Sequence, residues 1–359
     1  MTLSFLLVGD DTLTRSCGEA ILARGHAIAA VITDAPEVAR WAAGAGLRVL
    51  AQGPGAVERL GEGGADWLVS AANLRILPPA LLAQARAGAV NFHDGPLPRH
   101  AGLNAPVWAL LEGEAEHGIV WHLIEGGVDA GAILVERRFA IVPEDTALTL
   151  NTRCLAAGIE AFAEFLDRAA AGTLAPRAQD ARLRTWHARD DRPMAAARLD
   201  WRHDAGTLAR LVRALDHGGY RNPLAIAKLE TAGGVFLIHA AEAVEGAGAP
   251  GTVLEARQGV LTVACGAGAL RITRASLPDG TPRCPGSLAQ AGDTLPPLDD
   301  PAALTAALAA ITPGEPRHRA ALRDMTPVEV ALAGAAAGGP AWQGGLANLD
   351  PVSADAGIP

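Results

Sequence analysis

The sequence predicts an α/β fold: a Rossmann-like, doubly wound sheet followed by a second, small β-barrel-like domain. Three observations carry this expectation. Through residue 190, short apolar runs alternate with amphipathic stretches, the pattern of a sheet covered by helices. From about residue 199 the pattern changes to runs rich in β-branched residues separated by glycine. The chain has 359 residues, half of them apolar, which is enough for two buried cores.

The first apolar run, residues 3–8, reads as a buried strand. No positive charge precedes it and Asp10 and Asp11 end it, which is wrong for a signal peptide. Further strands are expected at 27–33, 47–51, 67–70, 89–92, 118–124 and 132–141, with helices at 12–24, 37–45, 79–86 and 105–112. A long helix is expected over 146–171, with Asp145 or Thr146 placed to cap it and Gly172 placed to end it. Residues 177–192 are polar and rich in Arg and Asp, so they read as a connector. The expected organisation is a catalytic domain at 1–176, a linker at 177–198, a β-rich domain at 199–289 and an Ala/Gly/Pro-rich tail or linker at 290–359. The β-rich domain should open with a helix at 205–215 and continue in strands at 234–239, 251–256, 259–265 and 269–275, with Trp201 in its core. The tail holds helical patterns at 302–310 and 317–323, and its last 25 residues have almost no core-forming content.

The net charge of −9 and pI near 5.6 argue against affinity built on many phosphate contacts. Four cysteines, none in a C-x-x-C pair, indicate neither a disulfide framework nor a zinc ribbon and fit a reducing, cytoplasmic setting. No window offers the roughly 18 uncharged apolar residues of a membrane span. His26, His117 and His187 show no ligand spacing, and no metal is expected.

The densest polar cluster follows the fifth strand, in Asn91-Phe92-His93-Asp94-Gly95-Pro96-Leu97-Pro98-Arg99. Strand ends of open α/β sheets face the ligand crevice, and alternation turns Asn91 and His93 to one side and Phe92 to the other. A second cluster runs from His122 to Ile133, where Gly126, Gly127 and Gly131 let the backbone fold tightly around Asp129. The first strand-turn, Val8-Gly9-Asp10-Asp11-Thr12-Leu13, lacks the G-x-G-x-x-G of a dinucleotide site, which argues against a dehydrogenase.

The pairing of N-x-H-x-G-x-L-P with H-x6-D-x-G-x-I, at a 36-residue gap from His93 to Asp129, resembles the catalytic core of the 10-formyltetrahydrofolate formyltransferases. That family includes glycinamide ribonucleotide, methionyl-tRNA and sugar-amine enzymes. The resemblance covers about residues 1–175; residues 199–278, with Leu199-Asp200-Trp201 and Gly251-Thr252-Val253-Leu254, are more weakly similar to the small barrel of the tRNA-type members. It implies that Asn91, His93 and Asp129 are catalytic. It also implies a folate pocket of Asn73, Leu74, Arg75, Ile76 and Leu77 with Gly126, Val128 and Asp129, and 10-formyltetrahydrofolate as formyl donor. Where the tRNA enzymes carry a Ser-Leu-Leu-Pro stretch and a basic run, this chain has Asp94-Gly95-Pro96-Leu97-Pro98 and only Arg99 and His100.

These residue types suit the chemistry. Attack of a neutral amine on a formyl carbon develops an oxyanion that needs donors placed in advance, which Asn91 and His93 can supply. An ionised Asp129 near His93 would set its tautomer or keep it cationic, and would accept the amine's proton through a water. Asp94, Arg99 and His122 are expected to line the acceptor side. Arg99 reads either as a phosphate or carboxylate contact or as a surface arginine. Arg75 reads as a contact for folate's carboxylate tail or as solvated, and His122 as a partner of Asp129 or as structural. The His-Asp-Gly-Pro-Leu-Pro variant and the tail look similar to formyltransferase domains that open nonribosomal peptide or polyketide assembly lines. A small-molecule or carrier-bound amine is therefore the favoured acceptor, with a carrier protein as partner and tRNA unlikely; methionyl-tRNA formylation is the alternative.

Overall fold

The computed structural model describes residues 1–53, 55–61, 64–220 and 222–323. In chain order the first lobe contains β1 (Ser4–Val8), α1 (Thr12–Ala23), β2 (Ala27–Ile32), α2 (Pro36–Gly44), β3 (Val49–Leu50), α3 (Ala56–Leu60) and β4 (Ala65–Ser70). It continues with α4 (Pro79–Leu82), β5 (Ala85–His93), β6 (Ala101–Gly102), α5 (Ala105–Glu112), β7 (Glu116–Leu123), β8 (Ile133–Ala140) and α6 (Ala147–Ala171). The main sheet runs β3-β2-β1-β4-β5-β7-β8. It is parallel through β5 and antiparallel from β5 to β7 and β7 to β8. Apolar runs do not encode strand direction, so the sequence pattern anticipates these last two strands without their reversal.

Phe5, Leu6, Leu7 and Val8 are all fully buried, as expected of a strand covered on both faces. Phe5, Leu7, Val69, Phe92, Trp121, Phe162 and Phe165 share one core, and Leu6, Val8, Leu68 and Ala89 belong to the core of the opposite face. Asp11 caps α1 by accepting from the Leu13 amide. Thr146 and Thr149 form a reciprocal capping box at the start of α6, and Gly172 ends that helix at φ +66°. Gly158 of α6 permits a close approach: a Cβ there would lie 2.5 Å from Cε2 of Phe92.

Two expectations need correction. The helix expected over 79–86 is the single turn α4, because Ala85 and Arg86 already belong to β5. The stretch 177–198 is more than a connector. Arg177 exchanges backbone hydrogen bonds with Ile133, and β9 (Trp186–His187) pairs in parallel with β6.

The second lobe consists of α7 (Ala205–Ala214), β10 (Ala227–Thr231), β11 (Gly234–Val244), β12 (Val253–Arg257), β13 (Val260–Ala264), β14 (Ala269–Ser276) and β15 (Pro282–Arg283). Its antiparallel sheet runs β10-β11-β14-β13-β12, with β15 on β14. Trp201, Leu208, Val212, Ile238, Leu270 and Ile272 form its core. The strand at 227–231 has no counterpart in the sequence reading. α8 (Pro301–Ile311) follows, capped by Asp300, and its Thr305 hydroxyl accepts from the Ala195 amide at 2.9 Å. All these elements fall within one compact unit, residues 1–313. The described part of the second unit is α9 (Glu315–Arg323), with an Arg319–Glu315 ion pair. The last 25 residues lie outside the described residues. Among the described residues, no helix is long and apolar enough to cross a membrane.

Candidate functional site

The register of β5 against β7 sets the site. Asn91 pairs with His122 and Phe92 with Trp121, so Asn91, His93 and His122 share one face while the two aromatic rings share the other. The Phe92 and Trp121 rings lie 5.4 Å apart, and Trp121 Nε1 donates to the Gly158 carbonyl at 3.0 Å. Aromatic packing on α6 thus holds the polar residues in place on the reverse side.

Asp129 comes to these residues from the loop after β7. Its backbone is left-handed, at φ +52°, an uncommon state for a non-glycine residue. Its Oδ2 accepts the Gly102 amide at 2.9 Å and lies 3.6 Å from His93 Nδ1, while Oδ1 lies 3.5 Å from His122 Nε2. Burial pushes the Asp129 carboxyl up, but the His122 hydrogen bond, the His93 charge and the Gly102 amide together hold it at about 2. It is therefore ionised at neutral pH.

Backbone carbonyls assign the tautomers, because a carbonyl can only accept. His93 Nε2–H donates to the His100 carbonyl at 2.8 Å, which leaves Nδ1 facing Asp129. His122 Nδ1–H donates to the Leu123 carbonyl at 2.8 Å, and its Nε2, 3.5 Å from Asp129 Oδ1, also lies 3.3 Å from Asn91 Nδ2. Asp94 stands 4.0 Å from His93 Nδ1; burial raises its carboxyl, the His93 charge opposes that, and the Asp129 charge adds to it. Asn91, His93, Asp94, His122 and Asp129 are thus brought together. An amide donor, two oriented imidazoles and an ionised carboxylate can polarise a carbonyl and take up a proton from an attacking amine.

Sequence reasoning missed the groups that hold Asp129. Gln179 Nε2 donates to the carbonyls of Asp129 at 3.0 Å and Gly131 at 2.7 Å. Arg184 donates to the carbonyls of Asp129 at 3.2 Å and Val128 at 2.8 Å, with its guanidinium 5.2 Å from the centroid of the Trp186 ring. Gly102, at φ +97°, leaves no room for a side chain beside the His187 carbonyl. A polar stretch reads as solvated unless its donors are matched to carbonyls, and no local pattern makes that match.

The expected pocket residues are placed differently. Asn73 uses its amide on its own turn, donating to the Arg75 carbonyl and accepting from the Arg75 amide, and Arg75 pairs with Asp34 at 2.7 Å. Leu77 packs against the sheet core. Leu74 and Ile76 are 74% and 84% exposed, and Val128, two residues after the turn at Gly126, is 47% exposed. Such open apolar side chains suit a flat ring ligand. Arg99 is ion-paired with Glu114 and therefore does not stand free to receive an anion.

The formyl transferase family model matches residues 27–166, and that of the formyl transferase C-terminal domain matches residues 194–289. Methionyl-tRNA formyltransferase of Stutzerimonas stutzeri is 40% identical over 219 residues, covering 61% of this chain and 67% of its own. That of Thiobacillus denitrificans is 36% identical over 290 residues, covering 74% and 89%. An N-formyltransferase from Helicobacter canadensis, solved with folinic acid and dTDP-3-aminofucose, superposes with a TM-score of 0.60 at 16% identity, covering 77% of this chain and 100% of its own. HypX from Aquifex aeolicus with tetrahydrofolic acid gives 0.55 at 21%, covering 77% and 44%; these two likenesses show the fold. The expectation that tRNA is an unlikely partner is overturned by relatives that are methionyl-tRNA formyltransferases. Its weakness is physical: a chain-wide charge of −9 does not describe how charge is distributed over one face.

Proposed function

The chain belongs to the formyl transferase family, as a folate-dependent enzyme whose donor is 10-formyltetrahydrofolate, and we propose that its acceptor is the amino group of methionyl-tRNA. The observation that carries this reading is extent. The match to the Thiobacillus denitrificans methionyl-tRNA formyltransferase covers 89% of that enzyme, and a C-terminal-domain match spans 194–289 of this chain. We assign formyl transfer to residues 1–176 with the returning segment 177–198, and acceptor recognition to 199–289.

In this reading the neutral amine attacks the formyl carbon, a C–N bond forms, and the bond to the folate nitrogen breaks. The Asn91 amide and the His93 Nδ1 edge meet the developing oxyanion. With His93 Nε2–H held by the His100 carbonyl, Nδ1 is the ring nitrogen turned toward ionised Asp129. Asp129 and His122 then receive the amine's proton through water and return one to the folate nitrogen as its bond to the carbon breaks. Leu74, Ile76 and Val128 offer apolar contact to the folate ring system.

A second reading, formylation of an amino sugar or of an aminoacyl unit on a carrier protein, is favoured by one observation: in place of the basic run of the tRNA-type members only Arg99 and His100 follow Pro98, and Arg99 is paired with Glu114. Transfer of radiolabelled formyl from 10-formyltetrahydrofolate to methionyl-tRNA, nucleotide-linked amino sugars and carrier-bound amino acids decides between them. The proposal expects kcat/KM for methionyl-tRNA at least a hundredfold above the others. Transfer only to a sugar or carrier substrate would replace it with the second reading.

A further inference from the structure

Behind the transfer site, three segments distant in sequence bring together residues that the reaction does not use. His100 follows β5, Glu112 ends α5 and His187 ends β9. His100 Nδ1 lies 3.0 Å from His187 Nε2, and His187 Nε2 lies 3.7 Å from Glu112 Oε1; one ligand atom from each of the three lies within 4.8 Å of the others. Both imidazoles are buried, while the carboxylate is exposed and gives access from solvent.

The surroundings orient these groups as a ligand set. The other ring nitrogen of His100, Nε2, faces Glu114 Oε1 at 3.7 Å, so a carboxylate stands behind the imidazole and favours a proton at Nε2 over Nδ1. Trp108 stacks on His187 at 4.8 Å and 5°, which fixes that ring. The two imidazole planes are within 17° of parallel, with their centroids 5.3 Å apart. Across a tetrahedral zinc with bonds of about 2.0–2.1 Å, two nitrogens stand roughly 3.3 Å apart, a small opening from the 3.0 Å observed. The positive charge of neighbouring Arg99 is offset by its ion pair with Glu114.

We propose that His100 Nδ1, His187 Nε2 and the Glu112 carboxylate form a divalent-cation site of the zinc class, with water completing the coordination. Binding removes the one proton the two nitrogens share, and His187 carries a proton on Nδ1 instead, so both rings stay neutral. It also ties β6 and β9 to α5 next to the His100 carbonyl that holds His93. The ion is thus a clamp on the supporting frame.

Titration of the full chain with Co2+, followed by visible absorption and by Zn2+ competition, tests this. The expected result is one ion per chain, a tetrahedral cobalt spectrum lost on adding Zn2+, and binding weakened at least tenfold by Glu112→Gln and His187→Ala. His26→Ala, on a histidine outside the cluster, should leave it unchanged. Should His187→Ala not fold, the exposed Glu112→Gln variant still decides the outcome. Absence of stoichiometric binding would mean that the histidines share only a proton, and binding unaffected by Glu112→Gln would remove the carboxylate from the site; either would overturn the proposal.

Discussion

The Nε2–H of His93 is fixed on the backbone carbonyl of His100 at 2.8 Å, so the nitrogen turned toward Asp129 is Nδ1. Orientation of the imidazole therefore does not depend on substrate. His93→Ala is expected to lower kcat by on the order of a hundredfold or more, the cost typical of one lost oxyanion donor, and to cost about 1–3 kcal/mol of stability through the orphaned His100 carbonyl. Steady-state kinetics beside a melting curve check it; unchanged turnover would remove His93 from the chemistry.

Asp129 links the site to acid stability. Its folded value of about 2 lies below its ordinary 3.8. The ionised form therefore stabilises the fold fully above about pH 4, and the contribution is lost as pH falls through about 2. The shift corresponds to roughly 2 kcal/mol. Urea unfolding from pH 5 to pH 2 should show a shallower loss of stability in Asp129→Asn than in the parent, and an identical slope would refute the assignment.

Gln179 and Arg184 hold Asp129 in its left-handed conformation through carbonyls alone. Gln179→Leu and Arg184→Ala should each lower kcat at least tenfold with a smaller effect on KM. They should destabilise the fold by about 1–3 kcal/mol, the usual cost of orphaned buried acceptors. Arg184→Lys should recover part of the loss. A purely structural role would lower stability without moving kcat.

Gly158→Ala would drive a methyl group to 2.5 Å from Phe92 Cε2, in the packing that backs Asn91 and His93. A loss of about 1–3 kcal/mol is expected from overpacking. Turnover should fall with it, because Phe92 lies between the two reacting residues on β5. Calorimetry and kinetics on the same sample test whether the two losses occur together.

The first five strands of the main sheet were legible in apolar periodicity, and the common facing of Asn91 and His93 in the alternation of β5; Asp129, on a loop after β7, joined them only through the paired motif and the resemblance it carries. The reversal of β7 and β8 was not, since an Ile-Val-Trp run packs equally well in either direction. Nor was the segment around Gln179 and Arg184: its composition resembles a solvated linker, and its donors find partners only once the chain has folded back on the Asp129 loop. Arg99 and Arg75 looked available for anions for a related reason. Their partners, Glu114 and Asp34, are set by tertiary placement.

The most direct test of the central claim is single-turnover formyl transfer from 10-formyltetrahydrofolate to methionyl-tRNA by the parent and by Asn91→Ala, His93→Ala and Asp129→Asn. The expected result is a labelled formylmethionyl-tRNA product whose rate falls on the order of a hundredfold or more in each variant, with folate still bound. Parent-like rates in all three variants, or no transfer to methionyl-tRNA by the parent, would contradict it.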